Sequence, residues 1–329
     1  PSRLVGSEMC IRDSCNRGKK SIDLDLKDSE CLTVAKQLIS KADVLINNFR
    51  PGIMDKLGLG EQECKKINKN LIYVSINGFG NQGPFASSPA YDHVVQAMSG
   101  ATDIQSDASQ PQYIKTLLCD KITAYTVSQS ISSALLKRER TGIADRIDLS
   151  MIDSAVFFLW PDGMMNHTLL DDDVQTLAPL TKSYNLYKCK DGFISIAALN
   201  DLQWFGIFRA LGKPEYIENE KFNTTGARST NLEELMSLLS KFESLTTDEA
   251  LTKLRNEDVP CAATTTLDEL MTHPQILANG LFKEISSDNQ GRVRALRYPA
   301  KFNNQEVMNH SPAPALGEHK KEIINSLKS

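Results

Sequence analysis

What this 329-residue sequence lacks narrows it first. It has no C-x-x-C pair, and its seven cysteines (Cys10, Cys15, Cys31, Cys64, Cys119, Cys189 and Cys261) are scattered and odd in number. That argues against a disulfide framework or a zinc site, and for reduced thiols in the cytoplasm. The five histidines, His93, His167, His273, His310 and His319, include no pair four residues apart, so no metal site is expected. No apolar run approaches the roughly 20 residues of a membrane span, and no secretory signal follows Pro1. With a net charge of −4 and Lys and Arg spread along the chain, there is no basic stripe for nucleic acid. Any phosphate binding is expected to be local.

What is present is an alternation. "SIDLDL" (Ser21–Leu26) reads as a strand, Glu30–Lys41 as a helix, "DVLIN" as a strand, "GEQECKKINK" as a helix and "LIYVSI" as a strand. That order predicts α/β architecture, an open parallel Rossmann-like sheet with crossover helices. Helices follow at Asp92–Met98 and Asp120–Arg140, the second with Ile122, Val127, Ile131, Ala134 and Leu135 near one stripe. "RIDLS" gives another strand, and the helix from Met151 is expected to end at Pro161. After about Thr176 the texture becomes α+β, beginning with a hairpin that turns at Lys190-Asp191-Gly192. The expected division is a large domain over 15–176, a small α+β domain over 177–282, and a C-terminal return to the large domain over 283–329. Pro1–Ser14 has no usable periodicity and resembles translated sequencing-adapter sequence, so residues 1–14 read as an artefactual leader.

Gly78-Phe-Gly80-Asn-Gln-Gly83 spells G-x-G-x-x-G directly after a strand. A dinucleotide fingerprint needs its third glycine in a helix whose N-terminus faces the pyrophosphate. Here Pro84 and a second proline, Pro89, intervene before the next helix near Asp92. The context argues against a dinucleotide oxidoreductase and for an irregular loop at the carboxyl end of a parallel strand, where α/β proteins bind ligands.

Several other strings carry more. "NRGKKSIDLDLK", "NNFRPG", "AYDHVVQAMSG", "RERTG", "VPCAATTTLDELMTHPQ" and "APALGEH" occur in this order from Asn16 onward. Together they resemble the family III CoA-transferases, also called the CaiB/BaiF family, which includes formyl-CoA transferase, carnitine CoA-transferase and α-methylacyl-CoA racemase. The resemblance implies an enzyme that moves CoA from an acyl-CoA donor to a carboxylic acid acceptor, with CoA as substrate and no tightly bound cofactor. It implies that Asp120, just before a long helix, is the nucleophile, working through aspartyl anhydride and aspartyl-CoA thioester intermediates. At a helix N-terminus the unpaired N–H groups and the dipole are expected to favour the ionised carboxylate. Asp153, on the next helix, is expected to be structural.

CoA contacts are implied at Leu24, Asp25, Leu26 and Lys27, at Asn48, Phe49 and Arg50, at Lys56, and at Pro89, Ala90, Tyr91 and Asp92. Arg50 and Lys56 are suited to neutralise phosphate. The resemblance also implies an interlocked homodimer.

Three departures matter. Tyr91 stands where racemase members carry a histidine base, which favours transfer over racemisation. "DDDVQTLAPLTKSY" has none of the glycines that oxalate-type transferases carry over the active site, which argues against oxalate. A first βαβ portion of the large domain is expected to be missing, so a non-catalytic CoA-binding remnant stays open beside the racemase alternative.

Overall fold

The computed structural model describes residues 13–106, 110–176, 184–287, 291–308 and 311–328. Most of the leader and residues 177–183 of the stretch that lacks glycine lie outside these residues. The chain divides into two compact units, one of residues 1–179 and 283–329 and the other of residues 180–282.

The described residues of the first unit begin without a strand. Ser21–Leu26 forms no ladder, and Ser21, at its start, is bonded to the chain's C-terminal segment. The Ser21 N–H donates to His319 Nδ1 (3.2 Å), the His319 N–H to the Ser21 carbonyl (2.9 Å), and the Gly317 N–H to Ser21 Oγ (3.0 Å). Leu24 and Leu26 still point inward and pack with Ala35, Ile39 and Tyr73. Helix α1 (Ser29–Lys41) starts where the Asp28 carboxylate accepts the Cys31 N–H, with Glu30 in its first turn and Lys41 in its last. Both charges complement the helix dipole.

Strand β1 (Val44–Asn47), helix α2 (Glu61–Ile67), strand β2 (Ile72–Asn77), helix α3 (Asp92–Met98), helix α4 (Leu118–Thr141), strand β3 (Arg146–Ser150) and helix α5 (Met151–Gly163) follow. The strands form a parallel sheet in the order β1-β2-β3, with Val44 opposite Ile72 and Tyr73 opposite Arg146. Central β2 carries a continuous buried run, Ile72-Tyr73-Val74, as a strand covered on both faces should. Val127, Ala134, Ile131 and Leu135 of α4 cover one face of it.

Helix α4 is long for this sheet. Its 24 residues span about 36 Å, whereas six-residue β2 spans about 20 Å. Its C-terminal end is fastened at the start of the strands. Arg138 donates to Asp43 Oδ1 (2.7 Å) and to the Asn70 carbonyl (2.8 Å), and Gly142 (φ 71°) closes the helix. The N-terminal turn, with Asp120, therefore projects past the carboxyl ends of β1–β3. Helix α5 runs through Pro161 to Gly163 instead of stopping there. A proline in a final turn costs one hydrogen bond, and the ladder resumes with the Met164 N–H on the Trp160 carbonyl (3.2 Å).

The second unit is an antiparallel sheet, β4 (Leu186–Lys188), β5 (Phe193–Ile196) and β6 (Cys261–Ala263). Helices α6 (Asp201–Ala210), α7 (Thr225–Thr230), α8 (Leu232–Leu239) and α9 (Thr247–Arg255) accompany it. The β4–β5 turn is closed by the Cys189 N–H on the Gly192 carbonyl (2.8 Å). A reciprocal Thr246/Glu249 capping box starts α9. Phe208, Phe222, Phe242 and Leu254 are fully buried at the centre. After β7 (Phe282–Ser287) and β8 (Gly291–Leu296), helix α10 (Lys320–Lys328) ends the chain. No described helix is long and apolar enough to cross a membrane.

Candidate active site

Three segments meet at the carboxyl ends of the strands. The segment after β1 supplies Asn48, Phe49, Arg50 and Pro51. The loop from β2 to α3 supplies Asn77, Gly78, Ala86, Ser88, Pro89, Ala90, Tyr91 and Asp92. Helix α4 supplies Asp120, Thr123, Ala124 and Val127, and with Ile76 and Met151 these residues line one cavity of about 570 Å³. The α4 contribution is a single helix face at i, i+3, i+4 and i+7 from Asp120. Of the sequence-derived CoA residues, Asn48, Phe49, Arg50, Pro89, Ala90, Tyr91 and Asp92 share this cavity with Asp120. A smaller cavity of about 200 Å³, also walled by Phe49, Arg50 and Pro51, adds Asn47, Met54, Tyr73 and Arg146.

Leu24, Asp25, Leu26, Lys27 and Lys56 line neither cavity. The two leucines face the α1/α2 core, and Asp25 closes its own turn by accepting the Lys27 N–H (3.0 Å). Exposed Lys56 ends the single helical turn Ile53–Lys56, in which Met54 is buried. Asp153 sits in the first turn of α5, its N–H donated to Ser150 Oγ (3.0 Å).

The glycine string has the loop conformation its prolines implied. Gly80 and Gly83 adopt positive φ (92° and 89°), and no helix begins until Asp92. Its first glycine is required for a steric reason. A Cβ on Gly78 would lie 2.1 Å from the Ala90 Cβ, so the returning loop crosses β2 only because that position has no side chain. The loop tip is pinned: Gly80 N–H donates to Asn77 Oδ1 (2.5 Å), Asn77 Nδ2 to Asn81 Oδ1 (2.9 Å), and Asn81 Nδ2 to Asp148 Oδ1 (3.1 Å).

Beneath the cavity, the first turns of α3, α4 and α5 converge on Val95, Cys119 and Ala155, all essentially without exposed surface. Cys119 adjoins Asp120 in sequence but cannot serve as a thiolate near neutral pH. Burial, then the charges of Asp92 and Asp120, push its pKa up to about 11.

Asp120 lies inside the long helix and not just before it. The helix starts at Leu118 with Leu117 as a cap residue lacking a side-chain bond, so Asp120 is the third helical residue. Its backbone N–H donates to Asp92 Oδ1 (2.9 Å), while its carboxylate, at the cavity wall, has no hydrogen bond or ion pair among the described residues. Its pKa is accordingly raised, first by desolvation and then by the Asp92 charge, where helix-end N–H groups were expected to favour ionisation.

A carboxylate whose folded pKa is raised costs stability once pH rises through that value, because the unfolded chain holds the charge more easily. Asp120→Asn is therefore expected to melt higher than the wild type at pH 7, with the gain shrinking as pH falls through the raised folded value and gone below the ordinary carboxylate range, about 4. Melting curves of both proteins between pH 3.5 and 8 would check this, and a pH-independent difference would contradict it.

The family model described as CoA-transferase family III matches residues 3–320. Human succinyl-CoA:glutarate CoA-transferase is 29% identical over 332 residues, an alignment covering 98% of this chain and 75% of the human protein. A solved CaiB/BaiF family protein from Brucella suis superposes with a TM-score of 0.80 at 32% identity, over 97% of this chain and 84% of that one. An aspartate-to-alanine mutant of a Mycobacterium tuberculosis protein superposes with a TM-score of 0.85 at 28% identity, over 97% and 86% of the two chains.

Proposed function

Because the chain belongs to CoA-transferase family III, we propose that it moves CoA between an acyl-CoA and a carboxylic acid, with Asp120 as the covalent nucleophile. The observation that carries this reading is the Asp120 carboxylate, without a hydrogen-bond or ion-pair partner among the described residues at the wall of the 570 Å³ cavity, while its backbone is held by Asp92. A nucleophile needs this combination of fixed position and free electron pair.

In the proposed reaction, an Asp120 oxygen attacks the thioester carbonyl. The C–S bond breaks, leaving a mixed anhydride and CoA thiolate. The thiolate attacks the Asp120 carbonyl of that anhydride, releasing the donor acid as its carboxylate and forming an aspartyl-CoA thioester. The acceptor carboxylate then attacks this thioester, giving a second anhydride and free thiolate. Attack of the thiolate on the acceptor's acyl carbon yields the new acyl-CoA and restores the Asp120 carboxylate. No step needs an oxidant or a net proton.

Asn48, Phe49, Arg50 and Pro89–Asp92 are proposed to hold CoA within the cavity. Arg50, which forms no ion pair among the described residues, is available for a phosphate. The Leu24–Lys27 turn and Lys56, outside the lining, are proposed to serve the nucleotide end. Tyr91, largely exposed and stacked on His93 at 6.2 Å, puts a phenol where a racemase has its histidine base, which supports transfer. A cytoplasmic homodimer is also proposed, supported by free thiols and by exposed Phe157, Phe158 and Leu170.

The human relative's name points to dicarboxylates. Succinyl-CoA as donor with glutarate as acceptor is expected to produce glutaryl-CoA and succinate, measured by chromatography of the CoA esters. Turnover only with monocarboxylates would move the substrate class. Absence of transfer from every donor would leave the CoA-binding remnant.

A further inference from the structure

The Asp120 N–H is held by Asp92, but Asp92 is itself held, and the group that holds it has no role in the chemistry described above. Asp92 and Gln96 lie one turn apart on α3, with 4% and 1% of their surface exposed. Gln96 Nε2 donates to Asp92 Oδ2 (2.6 Å), to the Thr116 carbonyl (3.0 Å) and to the Ile114 carbonyl (3.2 Å). Its Oε1 accepts the Ile114 N–H (3.1 Å). With three acceptors on one side and one N–H donor on the other, only this orientation of the amide satisfies the site. The side chain thus joins two things that are 18 to 20 residues away from it in one direction and one helical turn away in the other: the segment Ile114–Thr116 that feeds α4, and the carboxylate that fixes the Asp120 amide.

We propose that Gln96 is a positioning residue for the Asp120 nucleophile: its buried amide locks Asp92 and the Ile114–Thr116 segment together, and so sets where the first turn of α4 presents the Asp120 carboxylate. The inference rests on the reading of Asp120 as nucleophile. Gln96 lines the shallow groove of Asp92, His93, Tyr113 and Lys115 and is absent from the 570 Å³ cavity wall. It acts through Asp92 and touches no reacting atom. Displacing a reacting group by about 1 Å can cost on the order of 100-fold in rate with little effect on binding.

The test uses the full chain with succinyl-CoA and hydroxylamine. It follows the rate of hydroxamate formation at Asp120 by peptide mass spectrometry, beside the dissociation constant of CoA and the melting temperature. Gln96→Met keeps the volume and removes every hydrogen bond. Gln96→Glu keeps the shape and the acceptor for the Ile114 N–H, loses the donors, and carries the test should the methionine variant not fold. The expected result is acylation slowed roughly 10- to 100-fold with the CoA dissociation constant within about threefold of wild type. Unchanged acylation in a folded variant overturns the proposal, as does loss confined to CoA binding. A wild-type protein that forms no Asp120 hydroxamate overturns the nucleophile reading and this inference with it, whereas a wild-type hydroxamate formed equally fast in both variants overturns the positioning role alone.

Discussion

Asp120→Ala is expected to lower CoA transfer by roughly 10³-fold or more, the scale reached when a covalent nucleophile is deleted. The size of the effect follows from the absence of a substitute. The neighbouring thiol of Cys119 is buried and held protonated, with its pKa pushed up to about 11. Asp92 has one carboxylate oxygen on the Asp120 N–H and the other on Gln96. Neither can take over the attack. The substitution removes no side-chain hydrogen bond among the described residues and relieves a carboxylate whose pKa burial and Asp92 raise. Fold and CoA affinity should therefore survive it. Steady-state transfer beside isothermal titration with CoA would check both halves. Transfer retained above a tenth of the wild-type rate would remove Asp120 from the chemistry.

Phe208→Ala is expected to destabilise the second unit by about 3–5 kcal/mol, the cost of emptying an aromatic site that cannot collapse. Phe208 has no exposed surface. Its ring lies 6.2 Å from Trp204, 5.9 Å from Tyr216 and 6.2 Å from Phe222, in tilted or edge-on geometries. These partners are themselves fixed. Trp204 stacks under the Arg228 guanidinium (5.4 Å), and Arg228 is paired with Asp201 and donates to the Phe222 carbonyl (2.7 Å). Neighbours this constrained leave a cavity instead of filling it. Urea unfolding followed by Trp204 fluorescence, in a Trp160→Phe background, reports on this unit directly. A loss below about 1 kcal/mol would mean that the site repacks.

The parts of the fold that were legible in the sequence are those governed by local chemistry. Asp92–Met98 reads as a helix and is one, and the Lys190-Asp191-Gly192 turn separates two antiparallel strands. Where a distant segment competes, the reading fails. Ser21–Leu26 alternates like a strand, yet it forms no ladder, and Ser21 is bonded instead to Gly317 and His319, almost 300 residues away in the chain. Pro161 marks a helix end by its missing N–H, but a helix loses only one bond by passing it in the last turn.

The site was legible in the same uneven way. The strings around Asn48–Arg50, Pro89–Asp92 and Asp120 are gathered by the structure around one cavity. Val127 reads in the sequence only as part of an apolar stripe, and Thr123 and Ala124 carry no signal of their own, although all three fall 3, 4 and 7 residues from Asp120, on its helix face. Gln96 was within reach of the same count from Asp92. Its partners Ile114 and Thr116 were not, since nothing local announces a contact 18 or 20 residues along the chain. The sign of the Asp120 shift was also beyond the sequence, because it depends on burial and on which way the Asp92 charge faces.

The measurement that tests the account most directly is capture of the activated carboxyl. Protein incubated with succinyl-CoA and hydroxylamine, then digested and analysed by peptide mass spectrometry, is expected to carry a hydroxamate on Asp120 that is absent without acyl-CoA. A hydroxamate on another residue, or none while succinyl-CoA is being consumed, would contradict Asp120 as the nucleophile.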